Sequence, residues 1–177
     1  LIIYTSDQGY FLGEHGFFDK RMMLEQSSRM PFVIRYPRDL PQGTRNESLL
    51  MNIDIPALLL DYAQVKRPEQ MQGESFRSLL KDDKLEGRPY TYYRYWEHSP
   101  DRPAHFGIRS SRYKLIYYYG KPLGMKSANV QATPPSWEFY DLETDPNELK
   151  NVFNEPSYQD LIVKMQASLI NEKTYNE

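Results

Sequence analysis

Leu1-Ile2-Ile3-Tyr4-Thr5-Ser6-Asp7-Gln8-Gly9 sets a run of bulky apolar residues directly against a cluster of polar ones. A short apolar run bounded by turn signals is the pattern of a strand buried on both faces, as in a parallel sheet. In open α/β sheets, ligands sit beyond the carboxyl ends of such strands. That reading places Asp7 and Gln8 where a site belongs. A buried strand needs neighbours on both edges, and an apolar strand left at an edge is an aggregation hazard. No initiator Met, loop or cap precedes the run, so the chain reads as the back portion of a longer protein.

Working outward, Gly9 to Arg21 is a glycine-punctuated loop, and Met22 to Arg29 a short helix stopped by Pro31. Phe32 to Tyr36 is a second short strand. Asn52 to Val65 is a helix, with Asp54 or a neighbour to cap it, Pro56 in its first turn, and Leu58, Leu59, Tyr62 and Ala63 on its apolar face. Ser75 to Lys81 is another helix. From Tyr90 the pattern changes to aromatic-rich strands: Tyr90 to Glu97, Phe106 to Arg109, Tyr113 to Tyr119 and Trp137 to Leu142. Lys121 to Pro135 is a long loop. Pro156 to Lys173 is an amphipathic helix with Tyr158, Leu161, Ile162, Met165 and Leu169 on one face. The expected fold is α/β, the end of a large mixed sheet with helices, followed by a small α+β domain with an antiparallel sheet and a C-terminal helix.

Composition narrows the function. A net charge of −2 argues against a general nucleic-acid binder. No apolar run is long enough to span a bilayer. Zero cysteine removes disulfides, thiolate metal sites and a Cys nucleophile from this segment. Fifteen Tyr and two Trp fit strands with pleated, half-buried faces; they also fit a surface on which rings stack against sugars.

Asp7 and Gln8 offer hard oxygen ligands, which suit Ca²⁺ or Mg²⁺ better than zinc. Two ligands are too few, so others must come from elsewhere. The same pair fits an Asx-type turn closing the strand. Lys20, between Asp19 and Arg21, is either a point charge for an anionic group or part of a solvated charge run. His15, in Gly13-Glu14-His15-Gly16, either contacts a substrate oxygen or braces the loop.

Together these residues resemble a known family. Thr5-Ser6-Asp7-Gln8-Gly9, Gly13-Glu14-His15-Gly16, Lys20 and Pro31-Phe32-Val33-Ile34-Arg35-Tyr36-Pro37 resemble the type I sulfatases, the formylglycine-dependent members of the alkaline-phosphatase-like superfamily. The likeness continues through Asn52-Ile53-Asp54-Ile55-Pro56, Gly107-Ile108-Arg109, Tyr113-Lys114-Leu115-Ile116, Glu138-Phe139-Tyr140-Asp141-Leu142 and Asp145-Pro146-Asn147-Glu148. Within the family it looks most like the glucosamine-6-sulfatase-like glycan sulfatases.

The resemblance implies that Asp7 and Gln8 are metal ligands for an active-site calcium and that Lys20 is catalytic, contacting the sulfate and the leaving-group oxygen. It makes His15, Arg94 and His105 candidate substrate-binding residues, with His98 beside them; Arg109 and Arg112 are expected to pair with carboxylates across the hairpin. It implies residues 1–85 as the C-terminal part of the catalytic α/β domain and 86–177 as the smaller domain. The partners it implies are a sulfated carbohydrate and the missing N-terminal part of the same protein, in a secreted, periplasmic or lysosomal setting. The family's nucleophile arises in a Cys/Ser-x-Pro-x-Arg motif, which this chain lacks; Ser99-Pro100-Asp101-Arg102 is one residue short. The formylglycine is therefore expected upstream, and this segment alone is expected to be inactive. The alternatives are a phosphodiesterase or phosphonate hydrolase of the same superfamily, and a non-catalytic carbohydrate-binding module.

Overall fold

A computed structural model describes residues 1–176. In chain order the elements are β1 (Ile2–Thr5), α1 (Glu25–Ser28), β2 (Phe32–Arg35), α2 (Asp54–Tyr62), α3 (Arg77–Lys81), β3 (Thr91–Tyr95), β4 (His105–Arg109), β5 (Tyr113–Tyr118), β6 (Ser136–Asp141) and α4 (Gln159–Asn176). They fall into two compact units. The first holds Leu1–Asp7 and Pro31–Thr91, the second Gln8–Met30 and Tyr92–Glu177.

In the first unit, β1 and β2 form a two-stranded antiparallel ribbon, with Ile3 opposite Ile34 and Tyr4 opposite Val33. Within this chain the neighbour of β1 is antiparallel rather than parallel, and one face of the ribbon is left uncovered. β2 runs back along β1, and Ile2, Tyr4 and Val33 are 62%, 67% and 61% exposed. An apolar run of four residues carries strand propensity but does not name its partner or direction. The alternate positions, including Ile3 and Phe32, are half-buried, and Phe32 packs edge-on against Phe76. Leu58 and Ala57 of α2 are buried, while Leu59 turns to solvent. Asp54 is buried where α2 begins. Its carboxylate accepts the Met51 and Glu74 amides (2.9 and 3.0 Å) and a bond from Arg88 (2.8 Å).

The second unit is built on an antiparallel sheet in the order β3-β4-β5-β6. The register pairs Phe106 with Tyr117 and Ile108 with Leu115, and Leu115 with Phe139 in turn. Strand alternation therefore puts Ile108, Leu115 and Phe139 on one face and Gly107, Ile116 and Tyr140 on the other. α4 covers the first face, with Ile162, Met165 and Leu169 buried. Phe11, Met22, Met23 and Leu24 of the Gln8–Met30 segment form a core with Ile116, Tyr118 and Tyr140 on the second. Gly107 permits that approach: a Cβ there would lie 2.4 Å from the Leu115 carbonyl and 2.6 Å from the Met23 sulfur. The expected small α+β arrangement with an antiparallel sheet and a C-terminal helix is what forms.

Candidate functional site

Asp7 is the last residue of the first unit's opening segment, and its carbonyl accepts a bond from Asn52 Nδ2 at 3.1 Å. Gln8 opens the second unit. Its amide nitrogen donates to the Lys20 carbonyl and to Ser27 Oγ (3.2 Å). Beside it the Gly9 amide donates to the Ser27 carbonyl at 2.8 Å. A side chain at position 9 would put a Cβ 2.2 Å from the Gln26 carbonyl, so glycine lets the two segments meet.

The loop between Gln8 and Lys20 is a tight return. Gly13, His15 and Gly16 all have positive φ (123°, 53° and 77°). The Phe11 amide donates to the Asp19 carbonyl at 2.8 Å, and Gly13 to Phe17 at 2.9 Å. Phe11 anchors this return in the core, and the half-buried His15 ring meets it edge-on at 6.0 Å. Lys20 is then held through its backbone. Asp19 accepts from the Lys20 amide (2.7 Å), from Arg21 (2.7 Å) and from Arg102 (2.8 Å). Partial burial works to raise the Asp19 carboxyl, but these donors prevail and hold it below its ordinary range. Tyr93 donates to the Arg21 carbonyl at 2.7 Å, and burial pushes its hydroxyl up to about 12.

The candidates in the aromatic region separate. His105 is enclosed by Tyr93, Tyr95 and Tyr118. Its Nδ1 donates to the Pro103 carbonyl at 2.8 Å, and burial lowers its pKa to about 4. A neutral, enclosed ring supports the sheet rather than presenting itself to solvent. His98 is likewise buried, bonded to the Gln131 carbonyl (2.8 Å) and accepting the Ala104 amide (3.2 Å). Arg94 stacks over the Trp96 ring at 3.4 Å, within reach of Phe106 and Tyr119. This is a cation–π arrangement at a half-exposed edge.

Arg112 pairs with Asp141 on the facing strand (2.8 and 2.7 Å) and with Glu143. Arg109 does not pair across the hairpin but grips Glu25 of α1 at 2.9 and 3.1 Å. That carboxylate belongs to a group that sequence reasoning missed. The Lys114 ammonium, fully buried, lies 3.0 Å from Glu25 and 2.6 Å from Glu148. Burial works to raise the Glu25 carboxyl, but Arg109 and Lys114 outweigh it and bring its pKa to about 2. For Glu148, burial prevails and raises it. The signal available beforehand was the alternation of β5, which turns Lys114 to the same face as Ile116 and Tyr118.

Among the described residues, no group of three or more His, Cys, Asp or Glu side chains is placed to hold a metal ion. Nor is any helix long and apolar enough to cross a membrane. The second unit has a cleft of about 390 Å³ lined by Glu25, Arg29, Arg109 and Arg112 among others. Two of its three guanidinium groups are already paired with carboxylates, which leaves little field for an anion. This cleft includes neither Gln8 nor Lys20.

Residues 13–175 match the family model described as N-sulphoglucosamine sulphohydrolase, C-terminal. An N-acetylglucosamine-6-O-sulfatase of Bacteroides thetaiotaomicron is 38% identical over 163 residues, which are 89% of this chain and 27% of that protein. An arylsulfatase of Clostridium perfringens is 30% identical, over 97% of this chain and 33% of its own length. A solved structure of a protein in complex with its substrate D-glucosamine-2-N,6-O-disulfate superposes with a TM-score of 0.86 at 35% identity, over 98% of this chain and 34% of that one. A phosphonate monoester hydrolase of Agrobacterium radiobacter shares the fold, with a TM-score of 0.77 at 20% identity. The chain thus spans about a third of the length of these relatives.

Proposed function

The chain belongs to the N-sulphoglucosamine sulphohydrolase C-terminal family, and on that premise we propose that the intact protein hydrolyses sulfate esters on a sulfated amino sugar. The observation that carries this reading is the close superposition on a glucosamine disulfate-bound structure at 35% identity. The 38% identity to an N-acetylglucosamine-6-O-sulfatase supports the same sugar class. The phosphonate hydrolase reading rests on fold alone and is the weaker one.

Lys20 is assigned the catalytic role. Its ammonium offsets negative charge gathering on the sulfate and on the bridging oxygen as the ester bond breaks. Asp7 and the Gln8 amide oxygen are assigned as part of a calcium site. Both are hard oxygen donors, which fits that ion, and the set they supply is incomplete. Calcium bound there would supply positive charge to the sulfate oxygens. No formylglycine precursor motif occurs among these residues, so the nucleophile is not this chain's contribution. His15 and Arg94 are assigned to the rim that meets the sugar, and His105 to the support beneath it. The boundary between the catalytic α/β domain and the smaller domain is placed at residues 85–86.

The test is steady-state turnover of the full-length protein on glucosamine 6-sulfate, an aryl sulfate and an aryl phosphate. Sulfate esters are expected to be the better substrates, and preference for the phosphate would overturn the assignment. Lys20→Ala is expected to lower kcat by about a hundredfold or more while the protein stays folded. Wild-type turnover in that variant would remove Lys20 from the mechanism.

A further inference from the structure

The buried ionic group of the second unit is joined to Lys20 by an unbroken series of contacts. Lys114 on β5 pairs with Glu25 and Glu148. Glu148 also accepts the Glu25 amide at 2.6 Å, and Arg109 holds the Glu25 carboxylate from β4. Three side chains distant in sequence therefore fix the first residue of α1. Two residues on, Ser27 is fully buried. Its carbonyl takes the Gly9 amide and its hydroxyl takes the Gln8 amide nitrogen. That same nitrogen donates to the Lys20 carbonyl.

We infer that Ser27 is a positioning residue for Lys20, and that the Lys114–Glu25–Glu148 cluster sets Lys20 in place by fixing α1, with Ser27 and Gln8 as the links. The inference rests on the catalytic role proposed for Lys20. A short helix of four residues has little stability of its own. Anchoring its first residue to Arg109 and Lys114 of the sheet and to Glu148 beyond β6 gives Ser27 a fixed place, and a fixed donor is what transition-state stabilisation requires. On this view the C-terminal sheet acts in the chemistry without touching substrate.

The experiment uses the full-length protein with four versions: wild type, Ser27→Ala, Lys20→Ala and the double variant, assayed on an aryl sulfate. Ser27→Ala removes one hydroxyl from a helix whose other anchors remain. It is expected to lower kcat about tenfold with KM within about twofold. In the Lys20→Ala background the same change is expected to have no further effect on kcat, because the group it positions is gone. Lys114→Met, where it folds, should behave in the same way. A tenfold loss that persists in the Lys20→Ala background would overturn the positioning role and leave the reading of Lys20 standing. Unchanged kcat in Ser27→Ala would also overturn it. Recovery of Ser27→Ala by excess calcium chloride would assign the effect to metal binding through Gln8 and overturn the link to Lys20. Full turnover in Lys20→Ala alone would defeat both the inference and the reading on which it rests.

Discussion

The β1–β2 ribbon and the four-stranded sheet have similar local sequences and opposite environments. Both are rich in β-branched and aromatic residues. Yet within this chain Ile2, Tyr4 and Val33 are exposed, while Ile108, Leu115, Ile116 and Phe139 are completely enclosed. The difference lies in what covers each sheet. Each face of the four-stranded sheet carries its own layer, α4 on one side and the Gln8–Met30 segment on the other. The ribbon is half-buried at alternate positions only. Strand propensity is thus a local property, and burial is granted by the neighbours.

The largest effect that would test this contrast is Phe139→Ala. Truncating a ring enclosed in the sheet core is expected to cost about 3–5 kcal/mol, read as a fall in the urea midpoint of the chain. A loss below about 1 kcal/mol would mean that the sheet is not packed as described. Next is the acid response of the covered sheet. In the unfolded chain His105 takes up a proton below its ordinary value near 6.5, whereas the enclosed ring waits until about 4. Between those values the unfolded state binds more protons, so stability falls as pH drops. The slope is at most about 1.4 kcal/mol per pH unit, roughly 3 kcal/mol in all. His105→Gln should flatten that part of the stability profile, and an unchanged profile would show that the ring is not enclosed. Smaller again is Gly107→Ala. Its methyl meets the Leu115 carbonyl and the Met23 sulfur, which is expected to cost about 1–3 kcal/mol as the Gln8–Met30 layer is pushed off the sheet. The smallest is Val33→Thr on the ribbon, expected to alter the stability of this chain by less than about 0.5 kcal/mol. A larger loss would show that the ribbon face is covered after all.

Much of the second unit was legible in the sequence. The strands follow from their aromatic content, the long loop after Lys121 from its Gly, Pro, Asn and small residues, and the buried face of α4 from the 3.6-residue period. The ribbon's partner was not, because four consecutive apolar residues fit a parallel or an antiparallel neighbour equally. His105 read as a candidate sugar contact, and its neighbours in sequence do not reveal that three tyrosines from two other strands close around it. Arg109 read as a hairpin pair, because only its carboxylate's place in space makes Glu25 the partner.

The sequence by itself determined the local elements, the polar cluster at the tip of the first strand and the family resemblance, because backbone propensity and motif spacing are written in neighbouring residues. Tertiary structure alone decided that Gln8–Met30 forms a layer on the C-terminal sheet and that Lys114 is sunk between Glu25 and Glu148. The physical reason is desolvation. A buried ammonium is tolerable only beside carboxylates brought from far along the chain, and no pattern among adjacent residues records which distant groups will arrive.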